Sequence, residues 1–183
     1  DAVVVGSRNN NVGSQKSSKI IIVGHDNTDQ SAQYGGEGLA IIGFKNKSNT
    51  PNRNYSSGTS FYIGSNNNNN SGSVIFGLDN EQNDRAYIYG SNNNNTTNGN
   101  TSISGSNSTS YIYGTNNTGT NGGYMYGANN QTTSGGYAYG VGTKVIRGGY
   151  AYGSLDSAKD GGLAFGHLNT VDGVSGTEAT LAF

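Results

Sequence analysis

Tyr124-Met125-Tyr126-Gly127 returns thirteen residues later as Tyr137-Ala138-Tyr139-Gly140, then as Tyr150-Ala151-Tyr152-Gly153 and Leu163-Ala164-Phe165-Gly166. An apolar triplet closed by Gly at a constant interval is an internal repeat, and a repeat constrains architecture before any local propensity does. Working toward the N-terminus, the same unit reads Tyr111-Ile112-Tyr113-Gly114, Tyr87-Ile88-Tyr89-Gly90, Val74-Ile75-Phe76-Gly77 and Phe61-Tyr62-Ile63-Gly64. Ala40-Ile41-Ile42-Gly43, Ile21-Ile22-Val23-Gly24 and Val3-Val4-Val5-Gly6 complete it, with Ser102-Ile103-Ser104-Gly105 as a polar outlier. Successive closing glycines lie 18, 19, 21, 13, 13, 15, 9, 13, 13, 13 and 13 residues apart. Six of the eleven intervals are 13, which sets the period.

A second column runs in phase with the first. Three residues after the closing Gly stands Asn9, Asn27, Asn46, Asn67, Asn80, Asn93, Asn117, Asn130, Asp156 or Asn169, with Ser108 and Thr143 as exceptions. Gly and Asn accept left-handed backbone angles at low cost, so this column predicts one turn per coil. Stacked Asn side chains also predict an amide ladder along the axis. Thirteen residues are too few for a helix-bearing repeat but suffice for two short strands and two tight turns. The triplet supplies one strand, and a segment such as 143–146 the other. Each coil then bonds the next at about 4.8 Å. The fold class expected is all-β: a parallel β-roll, or β-solenoid, of about 13 residues per coil with two short strands each, spanning residues 1–183 as one domain.

Alternation along the strand sharpens this. In Tyr137-Ala138-Tyr139 the two rings point one way and Ala138 the other. A lumen between two short strands is narrow, so the middle residue faces it: Ile88, Ile112, Met125, Ala138, Ala151 and Ala164. Tyr87, Tyr89, Tyr111, Tyr113, Tyr124, Tyr126, Tyr137, Tyr139, Tyr150 and Tyr152 then form external columns. A continuous apolar stripe of that size exceeds what a soluble monomer exposes, so these tyrosines are expected to pack against other copies. The pattern predicts an oligomer without setting its number.

Composition excludes several other readings. Of 183 residues 31 are Gly, only 11% are charged, and the net charge is −1. A mean hydropathy of −0.61 suits a disordered chain, but periodic apolar residues do not. No basic cluster points to nucleic acid. No apolar run approaches the roughly 20 residues that cross a bilayer as a helix. With no Cys, disulfides and thiolate metal sites are excluded.

Catalytic and metal readings also fail, and no cofactor is expected. His25 and His167 each follow a closing Gly and lie far apart, whereas a metal needs converging ligands. Asp26, Asp29, Glu37, Asp79, Glu81 and Asp84 read as solvated loop charges, since they lack the dense repeat of calcium-binding rolls. No nucleophile elbow or phosphate loop is present, and no Ser/His/Asp set suggests itself. Longer inserted loops at about 26–38 and 45–60 hold Tyr34, Arg53 and Tyr55, residue types that anchor interfaces, as a candidate ligand-binding loop.

At these residues the chain resembles the head repeats of YadA-type trimeric autotransporter adhesins. Gly153-Ser154-Leu155-Asp156-Ser157-Ala158-Lys159-Asp160-Gly161 and Gly166-His167-Leu168-Asn169-Thr170-Val171-Asp172-Gly173 fit the family's turn phrase. Gly149-Tyr150-Ala151-Tyr152-Gly153 and Gly162-Leu163-Ala164-Phe165-Gly166 fit its inner strand, and the match is best from Ser73 to Gly173. Tyr in place of the usual aliphatics and a coil one residue short are departures. The resemblance implies a left-handed roll, a homotrimer with the triplet strands facing the threefold axis, and a non-catalytic extracellular head at the cell surface. It further implies an outer-membrane anchor C-terminal to this stretch, and a host surface partner such as a CEACAM-type receptor, collagen or fibronectin. The Asn-rich composition is similar to that of a low-GC anaerobe, and a Fusobacterium receptor-binding member of the family is the particular expectation. Because the chain ends at Leu181-Ala182-Phe183, before the expected Gly, it reads as a fragment. The alternative expectation is an ice-binding or other structural solenoid.

Overall fold

In the computed structural model, described for residues 2–11, 20–29, 39–48, 60–69, 74–82, 86–96, 110–173 and 181–183, every regular element is a β-strand. The chain divides into two units, Asp1–Ser91 and Asn92–Phe183. Each is a roll of two parallel sheets, and each coil gives one strand to either sheet.

In the N-terminal unit the apolar triplets lie in the longer strands Ala2–Ser7, Ile20–His25, Leu39–Phe44, Ser60–Ser65, Val74–Leu78 and Ala86–Ser91. They pair in chain order and in register on the repeat, with Gly6 opposite Gly24, Gly24 opposite Gly43 and Gly64 opposite Gly77. The second sheet is built from two-residue strands, Asn10–Asn11, Thr28–Asp29, Lys47–Ser48, Asn68–Asn69 and Glu81–Gln82. The C-terminal unit repeats the plan. Its longer strands are Ser110–Thr115, Gly123–Ala128, Tyr137–Val141, Tyr150–Ser154, Leu163–His167 and Leu181–Ala182. Its second sheet holds Asn94–Thr96, Thr118–Thr120, Gln131–Thr133, Lys144–Ile146, Ser157–Lys159 and Thr170–Asp172.

The lumen takes the middle residue of each triplet, as alternation requires. Ile22, Ile41, Tyr62, Ile75 and Ile88 are buried in the first unit, and Ile112, Met125, Ala138, Ala151 and Ala164 in the second. The facing short strands contribute Thr132, Val145, Ala158 and Val171 in the second unit. Space is short there: a Cβ built on Gly136 would lie 2.4 Å from the Val145 side chain, and one on Gly162 2.6 Å from Val171. In the first unit the short strands turn Asp29 and Ser48 inward. Asp29 is therefore a buried lumen residue, where the sequence suggested a solvated charge, because it takes the inward position of its strand.

Two chemical demands at the first corner explain the two sequence columns. The closing Gly has φ between 110° and 144° at all eleven described positions from Gly6 to Gly166, and a Cβ on Gly140 would sit 1.7 Å from the Gly153 carbonyl oxygen. No side chain fits, so Gly is fixed by close approach as much as by φ. The Asn column does not itself hold a left-handed angle, contrary to the turn reading. That angle falls one residue earlier, at Arg8, Asp26, Lys45, Asn66, Asp79, Asn116, Asn129, Leu155 and Leu168. Asn is present for its amide. Asn46 Nδ2 donates to the Gly64 carbonyl (2.8 Å) and to Asn27 Oδ1 (3.1 Å), and Asn46 Oδ1 accepts from the Asn67 backbone N–H (3.2 Å). The same rung recurs at Asn117, whose Nδ2 bonds Asn93 Oδ1 (3.1 Å) and the Gly127 carbonyl (3.0 Å). These amides are buried and satisfied, and each joins neighbouring coils.

The outlier Ser102–Gly105 lies outside the described residues, and the coils on either side of it join each other. Asn93 bonds Asn117 directly, its Nδ2 reaches the Gly114 carbonyl (2.9 Å), and Asn94–Thr96 pairs with Thr118–Thr120. The 15- and 9-residue intervals thus belong to one coil of 24, whose residues 97–109 lie outside the described ones. In the first unit the extra residues of the long coils likewise follow the short strand. Residues 26–29 and 45–48, the start of the two expected loops, form corner and strand instead.

Candidate interaction surface

The outward positions of the longer strands carry the most distinctive surface of the molecule. In the C-terminal unit Tyr111, Tyr124, Tyr137 and Tyr150 form one column, and Tyr113, Tyr126, Tyr139 and Tyr152 a second, continued by Phe165. Parallel in-register pairing puts each ring over its equivalent one coil away, so the coil pitch becomes a stacking distance. Ring centroids lie 4.8, 4.7 and 4.8 Å apart down the first column, with interplanar angles of 2°, 4° and 5°. Down the second they lie 6.2, 4.7, 4.4 and 5.3 Å apart, the first pair tilted by 31°. Between the columns runs a groove of about 210 Å³, its walls the tyrosine rings and its floor Met125 and Ala138.

The rings are only half covered. Tyr126 is 53% exposed and Tyr152 48%, and most of the other column members are similarly open. Tyr87 and Tyr89, in the N-terminal unit, are also exposed, with Tyr89 stacked on Phe76 at 4.8 Å. The ten tyrosines expected to form external columns therefore do so within their own units. Tyr34, Arg53 and Tyr55, the candidate loop, lie outside the described residues.

Charged groups gather at the corners. In the N-terminal unit Arg8 pairs with Asp26 at 2.7 Å and donates to His25 Nε2 at 2.5 Å, while His25 Nδ1 lies 3.0 Å from Asp26. His25 stacks on Phe44 with centroids 5.4 Å apart, and Lys45 Nζ lies 4.9 Å from the same ring. The sequence indicated a solvated turn for His25; in the structure it has an aromatic and two charged neighbours, because residues at one corner position stack from coil to coil. In the C-terminal unit Arg147 bonds Asp160 through Nε and, at 2.6 Å, through Nη2. Lys159 bonds Asp172 at 3.1 Å. The Arg147 hydrogen bond holds the Asp160 carboxyl below its usual range, and Asp160 in turn raises Arg147. Lys159 is raised chiefly by Asp172. Among the described residues no group of three or more His, Cys, Asp or Glu converges as a metal site.

Fold and surface together define an all-β protein of parallel sheets that presents an exposed aromatic ladder. Compared with known proteins, the chain matches no family model, no curated protein and no solved structure.

Proposed function

We propose that the chain is the head of a bacterial cell-surface adhesin of the YadA-type trimeric autotransporter kind. In this reading it is a left-handed roll of about thirteen residues per coil that assembles as a homotrimer, attaches to host receptors or extracellular matrix, and catalyses nothing. The observation that carries the reading is the uncovered tyrosine face. Two stacked columns and an apolar groove form a contiguous patch of a kind that soluble monomers rarely expose. Three identical faces meeting on an axis cover it without any foreign partner, and closed symmetry prevents growth into a fibre. The roll then acts by rigid presentation, and three copies raise weak single contacts to useful avidity.

Light scattering on the purified chain tests the assembly. The expected mass is three times 18.9 kDa, and a monomer overturns the reading. Tyr139→Asp places a charge on the covered face and should dissociate the trimer while the strand spectrum persists. Immobilised CEACAM-type receptor, collagen and fibronectin form three arms of a binding assay, in which retention of the trimer on none of them overturns the adhesive part. The second reading, an ice-binding or structural solenoid, is favoured by the regularity of the same ladder. It predicts a monomer with thermal hysteresis.

A further inference from the structure

We propose that the stacked tyrosines of the C-terminal unit are a site of oxidative modification, at which a one-electron oxidant links neighbouring coils through dityrosine bonds. Five tyrosine pairs lie 4.4 to 4.8 Å apart with rings within 6° of parallel. A phenol that loses an electron in such a stack shares the resulting charge with the ring above or below. Radical formation is thereby favoured over an isolated side chain, and the partner is already in place. Tyr124, Tyr126, Tyr137, Tyr139, Tyr150 and Tyr152 are 41–53% exposed in the single chain, so an oxidant reaches them before any assembly covers this face, and each has a rotatable χ1 and χ2. Of these five pairs Tyr139–Tyr152 has the shortest separation, 4.4 Å, with an interplanar angle of 2°.

The chemistry balances with an external oxidant of the peroxidase–hydrogen peroxide or photogenerated metal-complex class. Each of two phenols gives up one electron to the oxidant and its O–H proton to water, leaving two tyrosyl radicals. These join through one Cε of each ring. The hydrogens on the two coupled Cε atoms then shift to the oxygens as the rings recover aromaticity, so the product is a biphenol lighter by two hydrogens. The backbone hydrogen bonds between coils are left intact, and a covalent tie is added across a pair already held in register by its strands. The phenylalanines at the end of the second column, Phe165 and Phe183, have no phenol to give up and end the reactive run.

The test is oxidation of the whole chain by photolysed tris(bipyridyl)ruthenium with persulfate, followed by peptide mass spectrometry. The expected result is dityrosine fluorescence and a peptide pair joining the Tyr139 and Tyr152 segments, lighter by two hydrogens. Tyr113–Tyr126, at 6.2 Å and 31°, supplies the internal comparison and should link several-fold less. Mixing ¹⁵N-labelled with unlabelled chains before oxidation separates bonds within one chain from bonds between copies. Tyr139→Phe and Tyr152→Phe keep the stacked ring and should each abolish that peptide pair while the fold, checked by circular dichroism, persists. Absence of dityrosine, links only between labelled and unlabelled chains, or Tyr113–Tyr126 linking as readily as Tyr139–Tyr152 would overturn the proposal.

Discussion

The two units solve the same packing problem with different side chains. The N-terminal unit fills its lumen from the longer strands, with Ile22, Ile41, Tyr62, Ile75 and Ile88, and sets small polar groups such as Ser48 on the short ones. The C-terminal unit reverses this from Met125 onward. Ala138, Ala151 and Ala164 line its longer strands, and Val145 and Val171 fill the space from the other side. Outside, the first unit shows mainly Val and Ile, and the second shows Tyr. The larger lumen side chains thus come from the longer strands in the first unit and, at Val145 and Val171, from the short strands in the second. Interiors tolerate such exchange as long as the summed volume is kept. Small inward residues leave the outward rings as the largest apolar surface of the second unit.

The comparison breaks hardest at the closing glycines, which both units share. Gly140→Ala puts a Cβ against the Gly153 carbonyl at an unfavourable φ, and should cost roughly 4 kcal/mol in a denaturant titration. Gly148→Ala, at φ 79° with open space around it, should cost only about 1 kcal/mol. Equal losses would refute close approach as the reason for the column. Lumen volume is the next lever. Ile75→Ala should cost about 3 kcal/mol by cavity formation. Ala138→Ile should cost about 2 kcal/mol by overpacking, since Val145 already occupies that coil. Were Ala138→Ile to stabilise the chain, the volume exchange between sheets would be wrong.

A smaller effect of opposite sign sits in the Asn column. Asp156 is buried there, its Oδ1 accepts from the Asn169 N–H at 2.8 Å, and its Oδ2 finds no hydrogen-bond partner. The amide Nδ2 of Asn117 and of Asn130 donates from this position to the glycine carbonyl of the following coil. Asp156→Asn should therefore stabilise the chain by about 1 kcal/mol, read as a rise in Tm of about 3 °C. A lower Tm would mean that the carboxylate has a role the ladder does not explain.

The smallest effect is the exposed Arg147–Asp160 pair. Asp160 titrates below its unfolded value, so the pair's contribution is present above that value and disappears as pH falls through the folded one. The Tm difference between the parent and Arg147→Gln should be slight near neutrality and vanish in acid. A difference that persists in strong acid would show that Arg147 acts through packing.

The repeat was legible because every coil must satisfy the same constraints at the same position. The triplet, its inward middle residue and the outward tyrosines follow from period and alternation alone. Ser102–Gly105 is a partial copy: Ile103 and Gly105 follow the pattern, but Ser108 stands where most units carry Asn. The candidate loop residues Tyr34, Arg53 and Tyr55 carry no periodicity, so only residue type could single them out.

The amino-acid sequence by itself determined the parallel coils, their period and which side chains face inward, because strand alternation and a fixed repeat leave no other arrangement. Only the tertiary structure decided where the left-handed angle falls, that the Asn column is not the position that takes it, and that Asp29 is buried. Each of these depends on what the next coil places opposite a residue, and that neighbour is thirteen or more positions away in the chain.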